Sequence, residues 1–190
     1  MTPTLILVNG HPGSGKTSLA RWLASEIQIP CLSKDLFKEA IYEHRSPADR
    51  EESREFGRLA YDLAFAAVQA VLGSGTSAIL EAPLNHKYSQ VTIRRIASTT
   101  NARTLQLLLV AEPEILEARY LARRDSADRH AGHDVGFRVE ELRASLAQPF
   151  DALEMDPTLE IDTNDFEAID RSLITRWLTK RLDPHSRTAV

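Results

Sequence analysis

The sequence is poor in the features that mark secreted and membrane proteins. It contains one cysteine, Cys31, among 190 residues, so no disulfide can form within the chain and a reducing compartment is favoured. No apolar run approaches the roughly 20 residues that cross a bilayer, and the first residues enter a short apolar stretch without the layout of a signal peptide. We therefore expect a cytoplasmic protein with no membrane segment.

The sequence also lacks a strong charge bias. Its formal net charge is −4, and the acidic and basic residues are interspersed. Proteins that bind duplex nucleic acid usually carry a basic patch. The weakly acidic balance of this sequence therefore disfavours a nucleic-acid partner. The length is sufficient for a sizeable core. We expect one domain over residues 1–183 and a frayed tail over 184–190, and the oligomeric state stays open.

What the sequence does contain is a glycine-rich motif directly after the apolar run Leu5–Val8. The spacing G-x-x-x-x-G-K-T is that of a loop whose backbone N–H groups surround the phosphates of a nucleotide. Lys16 is placed to reach the β- and γ-phosphates, and the Thr17 hydroxyl suits a Mg²⁺ ligand. The predicted nucleotide-binding residues of this segment are Gly10, His11, Pro12, Gly13, Ser14, Gly15, Lys16, Thr17 and Ser18.

Strand and helix patterns alternate along the chain. Continuous apolar runs predict strands, and apolar residues at helical spacing predict helices. The predicted strands are 4–9, 29–32, 78–81, 105–110 and 159–162, and the predicted helices lie near 15–27, 36–43, 48–72, 112–124 and 166–182. This alternation favours a parallel sheet covered on both faces, with a ligand at the carboxyl ends of the strands.

Three features together resemble the small P-loop kinases. They are the phosphate loop after the first strand, the segment Ser33-Lys34-Asp35 with Lys38 after the second, and an arginine-rich segment that contains Arg119, Arg123 and Arg124. This family includes shikimate and gluconate kinases, chloramphenicol phosphotransferase, polynucleotide kinase and the zeta toxins. The resemblance implies an α/β P-loop NTPase fold, a three-layer α/β/α sandwich with a five-stranded parallel sheet in the order 2-3-1-4-5 and a helical lid. It also implies ATP and Mg²⁺ as cofactors, and transfer of the γ-phosphoryl group to an acceptor hydroxyl.

Asp35 is the candidate catalytic base. It follows the second predicted strand, so its carboxylate is expected at the same edge of the sheet as the phosphate loop, where it can orient an acceptor hydroxyl and accept its proton. The alternative is that Asp35 only caps the helix 36–43. Lys38 is a candidate substrate contact or part of a solvated helix face. Many relatives carry arginine here, which binds planar anions in a way that lysine does not.

Glu81 ends the third predicted strand, where similar kinases place an acidic group that holds a Mg²⁺-bound water. We expect Glu81 to contact the metal or the substrate, and the alternative is a hydrogen-bonded structural glutamate. The acceptor pocket is expected to involve residues 82–86 and the long helix 48–72. Candidates for it by position alone are Tyr42, Arg45, Arg54, Arg58 and Tyr61.

Arg119 and Arg123 are four residues apart and therefore share one helix face. Lid arginines of similar kinases neutralise the triphosphate, which makes both residues candidates for nucleotide contacts and Arg123 a candidate catalytic residue. The alternative is a solvated basic face paired with Glu117 or Asp125. The polar, glycine-bearing segment 125–135 predicts a lid loop that excludes water when it closes.

Two further patterns carry less information. His130 and His133 suggest zinc, but two histidines without a cysteine or acidic partner at ligand spacing fall short of a four-ligand site, so we do not predict one. Thr163 follows the last strand, where the loop of similar kinases lies beside the adenine, and we expect a nucleotide contact there. Thr163 or Asn164 is also suited to cap the last helix.

These features predict an ATP-dependent kinase that phosphorylates a hydroxyl group of a small organic molecule, such as a sugar or an antibiotic. Two alternatives remain open. One is a nucleic-acid or nucleotide-sugar kinase like polynucleotide kinase or a zeta toxin. The other is an ATP-binding switch or NTPase whose hydrolysis drives a conformational change.

Overall fold

The fold is an α/β sandwich built on one parallel sheet. The computed structural model describes residues 2–124 and 130–182. The strands are β1 (Thr4–Gly10), β2 (Cys31–Ser33), β3 (Ala78–Glu81), β4 (Arg103–Val110) and β5 (Thr158–Asp162). The helices are α1 (Lys16–Ile27), α2 (Lys34–His44), α3 (Arg50–Gly73), α4 (His86–Thr99), α5 (Pro113–Arg124), α6 (Val139–Leu146) and α7 (Arg171–Leu182).

The strand order confirms the predicted topology. The sheet runs β2-β3-β1-β4-β5, and every neighbouring pair is parallel. The carboxyl ends of all five strands therefore meet at one edge. The phosphate loop follows β1 at that edge, and the turns after β2 and β3 lie beside it.

Central strand β1 shows why both faces of the sheet are covered. All seven of its residues are buried. Leu5 and Leu7 belong to a core cluster that includes side chains of α3 and α4. Ile6 and Val8 belong to a second cluster, which includes side chains of α1 and α7. Alternate residues of a strand point to opposite faces, so an unbroken apolar run fits this three-layer arrangement.

Helix α4 is an element that the sequence patterns missed. Its fourteen residues include several serines, threonines and β-branched residues, which have modest helix propensity. Ser89, Ile93 and Ile96 of this helix are nevertheless buried, the two isoleucines in the same core cluster as Leu5. Packing of one face therefore stabilises a helix that local propensity does not favour. The sequence patterns also missed helix α6.

Several boundaries differ from the predicted ones. Strand β2 is three residues long and begins at Cys31 instead of 29. Helix α3 begins at Arg50, because the side chain of Asp49 accepts a hydrogen bond from the amide of Glu52 and caps it. Helix α7 begins at Arg171 and not at 166. The carboxylate of Asp170, the residue before this helix, accepts a 2.9 Å hydrogen bond from the amide of Leu173 in its first turn.

Residues 125–129 of the predicted lid 125–135 lie outside the described residues. The whole of the predicted tail 184–190 also lies outside them. The remainder of the lid segment contains a short 3₁₀ helix, Ala131–Asp134. Within the described ranges, no helix is both long enough and apolar enough to cross a membrane.

Candidate active site

The phosphate loop is held closely by two other parts of the fold. Gly13 and Gly15 have φ angles of +85° and +88°, a region that side chains rarely adopt. A Cβ on Gly13 would lie 2.3 Å from the carbonyl oxygen of Leu116 in α5, and a Cβ on Gly15 would lie 2.3 Å from the ring of Phe166. Gly15 also caps α1, so the loop leads directly into a helix N-terminus, whose dipole favours anions.

Lys16 is buried at the start of α1. Its Nζ donates a 2.7 Å hydrogen bond to the carbonyl of His11 in the phosphate loop. Burial lowers the pKa of Lys16 to about 8. The charges of Glu81 and Asp35 oppose this lowering of the pKa, and the guanidinium of Arg123 adds to it. Four charged residues from α1, α2, β3 and α5 are therefore within electrostatic reach of one another.

The Asp35 carboxylate lies among cations. Lys34 Nζ is 3.0 Å from Asp35 Oδ1. Burial opposes ionisation of Asp35, but the charges of Lys34, His133 and Lys16 outweigh it and hold the pKa of this carboxyl well below its usual range. Asp35 is therefore a carboxylate at neutral pH, in position to accept a hydrogen bond from a hydroxyl group.

The alternative helix-capping role of Asp35 does not agree with the structure. Helix α2 begins at Lys34, so Asp35 lies inside its first turn, and the cap position belongs to Ser33. An acidic residue in the first turn still complements the helix dipole. This contribution does not occupy the carboxylate, of which Oδ1 pairs with Lys34.

Glu81 is a buried carboxylate at the carboxyl end of β3. Its side chain is 4% exposed, and Oε2 accepts a 2.6 Å hydrogen bond from the hydroxyl of Ser33. The strand register explains this contact, because Glu81 pairs with Ser33 on one side and with Val8 on the other. The structural role proposed for Glu81 is thus present, and its proximity to Lys16 places it beside the phosphate loop.

The oxygen donors near the phosphate loop suit a magnesium ion. Thr17 is partly exposed in the first turn of α1, and Glu81 supplies a carboxylate. Mg²⁺ usually takes one or two protein oxygens and completes its shell with phosphate and water. In the described ranges there is no cluster of three His, Cys, Asp or Glu side chains that would form an all-protein metal cage. The buried hydroxyl of Ser14 has no hydrogen-bond partner in those ranges, and it remains a donor for a phosphate group.

Lys38 belongs to α2, and its side chain reaches α3. Its Nζ donates a 3.3 Å hydrogen bond to the hydroxyl of Ser53 and lies 5.3 Å from the centre of the Tyr42 ring. The hydroxyls of Tyr42 and Ser53 are themselves hydrogen-bonded at 3.0 Å. Lys38 therefore joins the two helices, and a substrate contact by this residue stays a prediction.

Arg119 and Arg123 act in different surroundings although they share one helix. The guanidinium of Arg119 donates hydrogen bonds of 2.6 and 3.0 Å to the carbonyls of Thr163 and Asn164. Arg123 is near enough to Lys16 to lower its pKa. Arg119 thus holds the loop after β5, whereas Arg123 is an electrostatic neighbour of Lys16. Their predicted nucleotide contacts stay predictions.

The solvated alternative for these arginines paired them with Glu117 or Asp125. Glu117 instead receives three hydrogen bonds from Arg143 of α6, at 2.6 to 3.0 Å. Asp125, the other suggested partner, is outside the described residues. Arg124 lies 3.6 Å from Asp134 and 4.7 Å from the ring of Phe137.

Thr163 and Asn164 do not cap the last helix, and that alternative was wrong. The Thr163 hydroxyl donates a 3.0 Å hydrogen bond to the carbonyl of Val110 at the end of β4. The side chain of Asn164 accepts a 2.8 Å hydrogen bond from the amide of Glu112. Both residues therefore tie the loop after β5 to the loop after β4. The nucleotide contact expected for Thr163 stays a prediction.

The two histidines of the suggested zinc pattern bind protein groups on α2. His133 Nε2 lies 3.0 Å from a carboxylate oxygen of Glu39, and His130 Nε2 lies 3.5 Å from one of Glu43. The His130 ring stacks on Tyr42 at a centroid distance of 5.1 Å. This part of the predicted lid segment is therefore docked on α2.

A cavity of about 430 Å³ adjoins the phosphate loop. The cavity lies between the phosphate loop, α3, the segment after β3 and residues 145–151. These last residues comprise the end of α6 and the segment that follows it. Tyr61 of α3 donates a 2.8 Å hydrogen bond to the carbonyl of Pro83 across one side. On the other side, His11 makes a 3.2 Å hydrogen bond to the carbonyl of Gln148, and its ring is 4.9 Å from that of Phe150.

Sequence reasoning missed two contributors to this site. The side chain of Asn9 donates to the carbonyl of Leu84 at 2.9 Å and to the side chain of Gln106 at 3.1 Å, and it accepts from the amides of Leu84 and Gly10. The signal available in the sequence was an asparagine at the end of an apolar strand. The segment 145–151 carried no motif, and only its folding onto the phosphate loop reveals its part in the cavity.

Comparisons with known proteins agree with this geometry. Residues 5–149 match a family model described as AAA domain. A candidate kinase from Chloroflexus aurantiacus superposes with a TM-score of 0.88 at 31% sequence identity, over 96% of this chain and 100% of that one. Kti12 of Chaetomium thermophilum, crystallised with ADP-AlF3, has a TM-score of 0.61 at 21% identity over 93% and 98% of the two chains. Shikimate kinase from Bacteroides thetaiotaomicron shares the fold at a TM-score of 0.53 and 18% identity, over 95% and 96%.

Curated sequence relatives extend well beyond this region. An uncharacterized protein of Mycobacterium tuberculosis (strain ATCC 25618 / H37Rv) is 26% identical over 158 residues, which cover 73% of this chain and 32% of that protein. The chain thus spans about a third of the length of the curated relatives it matches. The match to the AAA domain and the phosphate-loop motif together imply ATP binding. The chain belongs to the AAA domain family and has the fold of the small P-loop kinases that its motifs resemble.

Proposed function

We propose that this protein transfers the γ-phosphoryl group of ATP to a hydroxyl group of a small organic molecule. The observation that carries the proposal is the meeting of Asp35 and Lys16 at the carboxyl edge of the sheet. Each side chain shifts the pKa of the other, although they lie on different helices. The cavity beside the phosphate loop, which His11 and Tyr61 help to line, offers room for an acceptor.

Asp35 has the properties required to position an acceptor. It stays ionised at neutral pH, because neighbouring cations lower its pKa. A carboxylate in this state accepts a hydrogen bond from the acceptor hydroxyl, aligns its oxygen for attack and takes the proton as transfer proceeds. A weak base suffices, since phosphoryl transfer depends mainly on positioning and on neutralisation of charge.

Lys16 and Arg123 would supply the positive charge for that neutralisation. Lys16 is held in the phosphate loop by its hydrogen bond to the carbonyl of His11. Arg123 is close enough to lower the pKa of Lys16. Magnesium, when bound, would withdraw negative charge from the phosphate groups. Thr17 and Glu81 are the residues that we propose to hold it, directly or through water.

The proposal includes a cytoplasmic location. The reaction consumes ATP, and the one cysteine of the sequence, Cys31, is partly buried with a pKa that burial and the nearby Glu81 raise to about 11. A thiol in this state reacts slowly, and the chain has no second cysteine with which to form a disulfide.

The decisive test is Asp35→Asn, assayed with a panel of acceptors that covers sugars, aminoglycosides, chloramphenicol-like alcohols, nucleosides and 5′-hydroxyl oligonucleotides. We expect acceptor-dependent ADP release to fall by roughly 10²- to 10⁴-fold, while ATP affinity changes by less than about twofold. Asp62→Asn, on the exposed face of α3, is the matched control and should behave like the wild type.

Each alternative predicts a different result in the same assay. A nucleic-acid kinase would be stimulated most by the oligonucleotides. A switch or plain NTPase would release ADP without an acceptor, and Asp35→Asn would leave that rate unchanged. Loss of ATP binding in Asp35→Asn would contradict the role given to this residue.

A further inference from the structure

The cavity beside the phosphate loop has largely apolar walls. Prolines and aromatic rings dominate these walls, which are stiff and present C–H groups and ring faces to a ligand. The Tyr61 hydroxyl is already hydrogen-bonded to the carbonyl of Pro83, so it has no need of a polar ligand. The apolar wall residues are Pro12, Tyr61, Pro83, Pro149 and Phe150.

The polar groups of the cavity do not favour an anion. Asn85, Ser145 and Gln148 are uncharged, and Asp151 adds a negative charge at the wall. Burial and the Lys16 ammonium lower the pKa of His11, so its ring is neutral at pH 7. Within the part of the chain that the structure describes, no lysine or arginine lines this cavity. A carboxylate or phosphate on the acceptor would be desolvated there without a counter-charge.

Several cations on the elements around the cavity are paired with carboxylates of the protein. Breaking one of these ion pairs to bind an acceptor would leave a carboxylate without its partner. The pairs are Lys34 with Asp35, Arg45 with Glu52 and Arg54 with Glu141.

The cavity adjoins the reacting groups through two of its wall elements. Tyr61 lies in the wall, and Lys34 Nζ, which is 3.0 Å from Asp35 Oδ1, lies 5.5 Å from the centre of the Tyr61 ring. Burial together with the negative charges of Asp35 and Glu81 raises the pKa of this tyrosine. His11 and Pro12 of the phosphate loop form another part of the wall. A molecule seated there therefore contacts the phosphate loop and the tyrosine that adjoins the Lys34–Asp35 pair.

We propose that the acceptor is an uncharged alcohol with an apolar ring, which seats its ring between Pro12, Tyr61 and Phe150 and turns its hydroxyl toward Asp35. This inference rests on the proposed function and adds to it the chemical class of the acceptor. It separates this protein from kinases whose acceptors carry a carboxylate or a phosphate. The cavity volume of about 430 Å³ suits a small molecule and excludes a polymer from full enclosure.

Binding to the protein saturated with Mg²⁺ and a non-hydrolysable ATP analogue tests the acceptor class. Three probes differ only in charge: para-(hydroxymethyl)benzamide, para-(hydroxymethyl)benzoate and para-(hydroxymethyl)benzylamine. Calorimetry or ligand-observed NMR should show the benzamide binding at least about tenfold more tightly than the benzoate, because the cavity gives the anion no partner. Equal or tighter binding of the benzoate or the benzylamine, or no binding of any probe at millimolar concentration, overturns the inference.

Two variants locate the binding in the cavity. Phe150→Ala removes one aromatic wall and should weaken the benzamide at least about fivefold, with nucleotide affinity unchanged. Tyr88→Ala removes an exposed aromatic ring of α4 outside the cavity, is the matched control and should have no effect. Gln148→Arg introduces a cation at an exposed wall position and should bring benzoate binding at least about tenfold closer to that of the benzamide. Wild-type behaviour of both Phe150→Ala and Gln148→Arg overturns the assignment of the cavity.

The phosphorylation assay separates this inference from the proposed function. Kinase activity on the benzamide, with little on the benzoate, supports both. Specific benzamide binding that never leads to a phosphorylated product contradicts the kinase and leaves the cavity assignment standing. Kinase activity that is greatest on sugar acids or nucleotides supports the kinase and overturns the acceptor class.

Discussion

The hydroxyl of Ser33 donates a 2.6 Å hydrogen bond to Oε2 of Glu81 and so joins the ends of β2 and β3 at the edge where the phosphate loop begins. Both side chains are buried, with exposed fractions of 7% and 4%. The bond orients a carboxylate that the proposed reaction assigns to magnesium. Its loss should therefore affect both stability and metal dependence.

Ser33→Ala is expected to lower the free energy of unfolding by about 1–3 kcal/mol, because it leaves a buried carboxylate oxygen without its hydrogen bond. It should also raise the Mg²⁺ concentration that gives half-maximal activity. Denaturant unfolding and a magnesium titration measure these effects. Ser98→Ala, at an exposed position of α4, is the control and should change neither quantity. An unchanged stability in Ser33→Ala would mean that the Glu81 carboxylate does not depend on this bond.

The pKa of about 8 for Lys16 predicts proton uptake on nucleotide binding. Burial disfavours the ammonium in the free protein, and phosphate groups favour it in the complex. Above pH 8, the free protein has lost this proton and must regain it to bind. Calorimetry in buffers of different ionisation enthalpy should show uptake of most of one proton at about pH 9 and little at about pH 7. Affinity should fall as the pH rises through this range.

Lys16→Arg is the control for that experiment. A guanidinium stays protonated, so the uptake at about pH 9 should disappear whatever the affinity of the variant. Persistent uptake in Lys16→Arg would assign the proton to another group.

The contact between Gly15 and Phe166 predicts a strong effect of one added methyl group. Gly15→Ala places a Cβ 2.3 Å from the Phe166 ring and forces alanine to a φ of +88°. We expect the free energy of unfolding to fall by about 1–3 kcal/mol and nucleotide affinity to fall at least about tenfold. Gly73→Ala adds a Cβ that meets no side chain or distant backbone atom of the described residues within 4 Å, so it should be neutral or slightly stabilising.

Adding Phe166→Ala to Gly15→Ala separates the two causes. The double variant loses the clash with the ring and keeps the unfavourable φ angle, so it should recover only part of the lost nucleotide affinity. Complete recovery would show that the backbone angle carries no cost.

Arg119 and Arg123 should affect different kinetic constants. Arg119 holds the carbonyls of Thr163 and Asn164, so Arg119→Ala should loosen the loop after β5 and weaken nucleotide binding about five- to twentyfold with a small change in kcat. Arg123 is an electrostatic neighbour of Lys16 in the phosphate loop, so Arg123→Ala should lower kcat about a hundredfold. Arg143→Ala, whose guanidinium pairs with Glu117, is the control for loss of a surface arginine. A reversed pattern, with kcat falling in Arg119→Ala alone, would contradict these roles.

The phosphate loop and the parallel sheet followed from local patterns, and the strand order followed from the resemblance to the small P-loop kinases. The loop motif is contiguous in the sequence, and its chemistry depends on backbone and side chains within eight residues. The apolar runs of β1 and β4 read as buried strands because both faces of a parallel sheet are covered. Asp35 was predictable for a similar reason, since residues that follow parallel strands arrive at the same edge.

Features that depend on distant segments were less accessible. The patterns gave no reason to expect α4, because its helix propensity is modest and its stability comes from packing of Ile93 and Ile96. The hydrogen-bond partners of Arg119 could not be predicted either. Helical spacing shows which residues share one face of a helix, but it does not show which residues that face contacts. Its partners are 44 and 45 residues away in the chain.

The sequence by itself therefore determined the fold class, the nucleotide loop and the carboxylates at its edge, because each depends on residues close together in the chain or on the alternation of strands and helices. Only the tertiary structure decided which side chains meet across elements. It joined Asn9 to Leu84 and Gln106, Ser33 to Glu81, and residues 145–151 to the phosphate loop. Such contacts arise from the packing of the whole core, in which many weak interactions compete and no single local pattern decides the outcome.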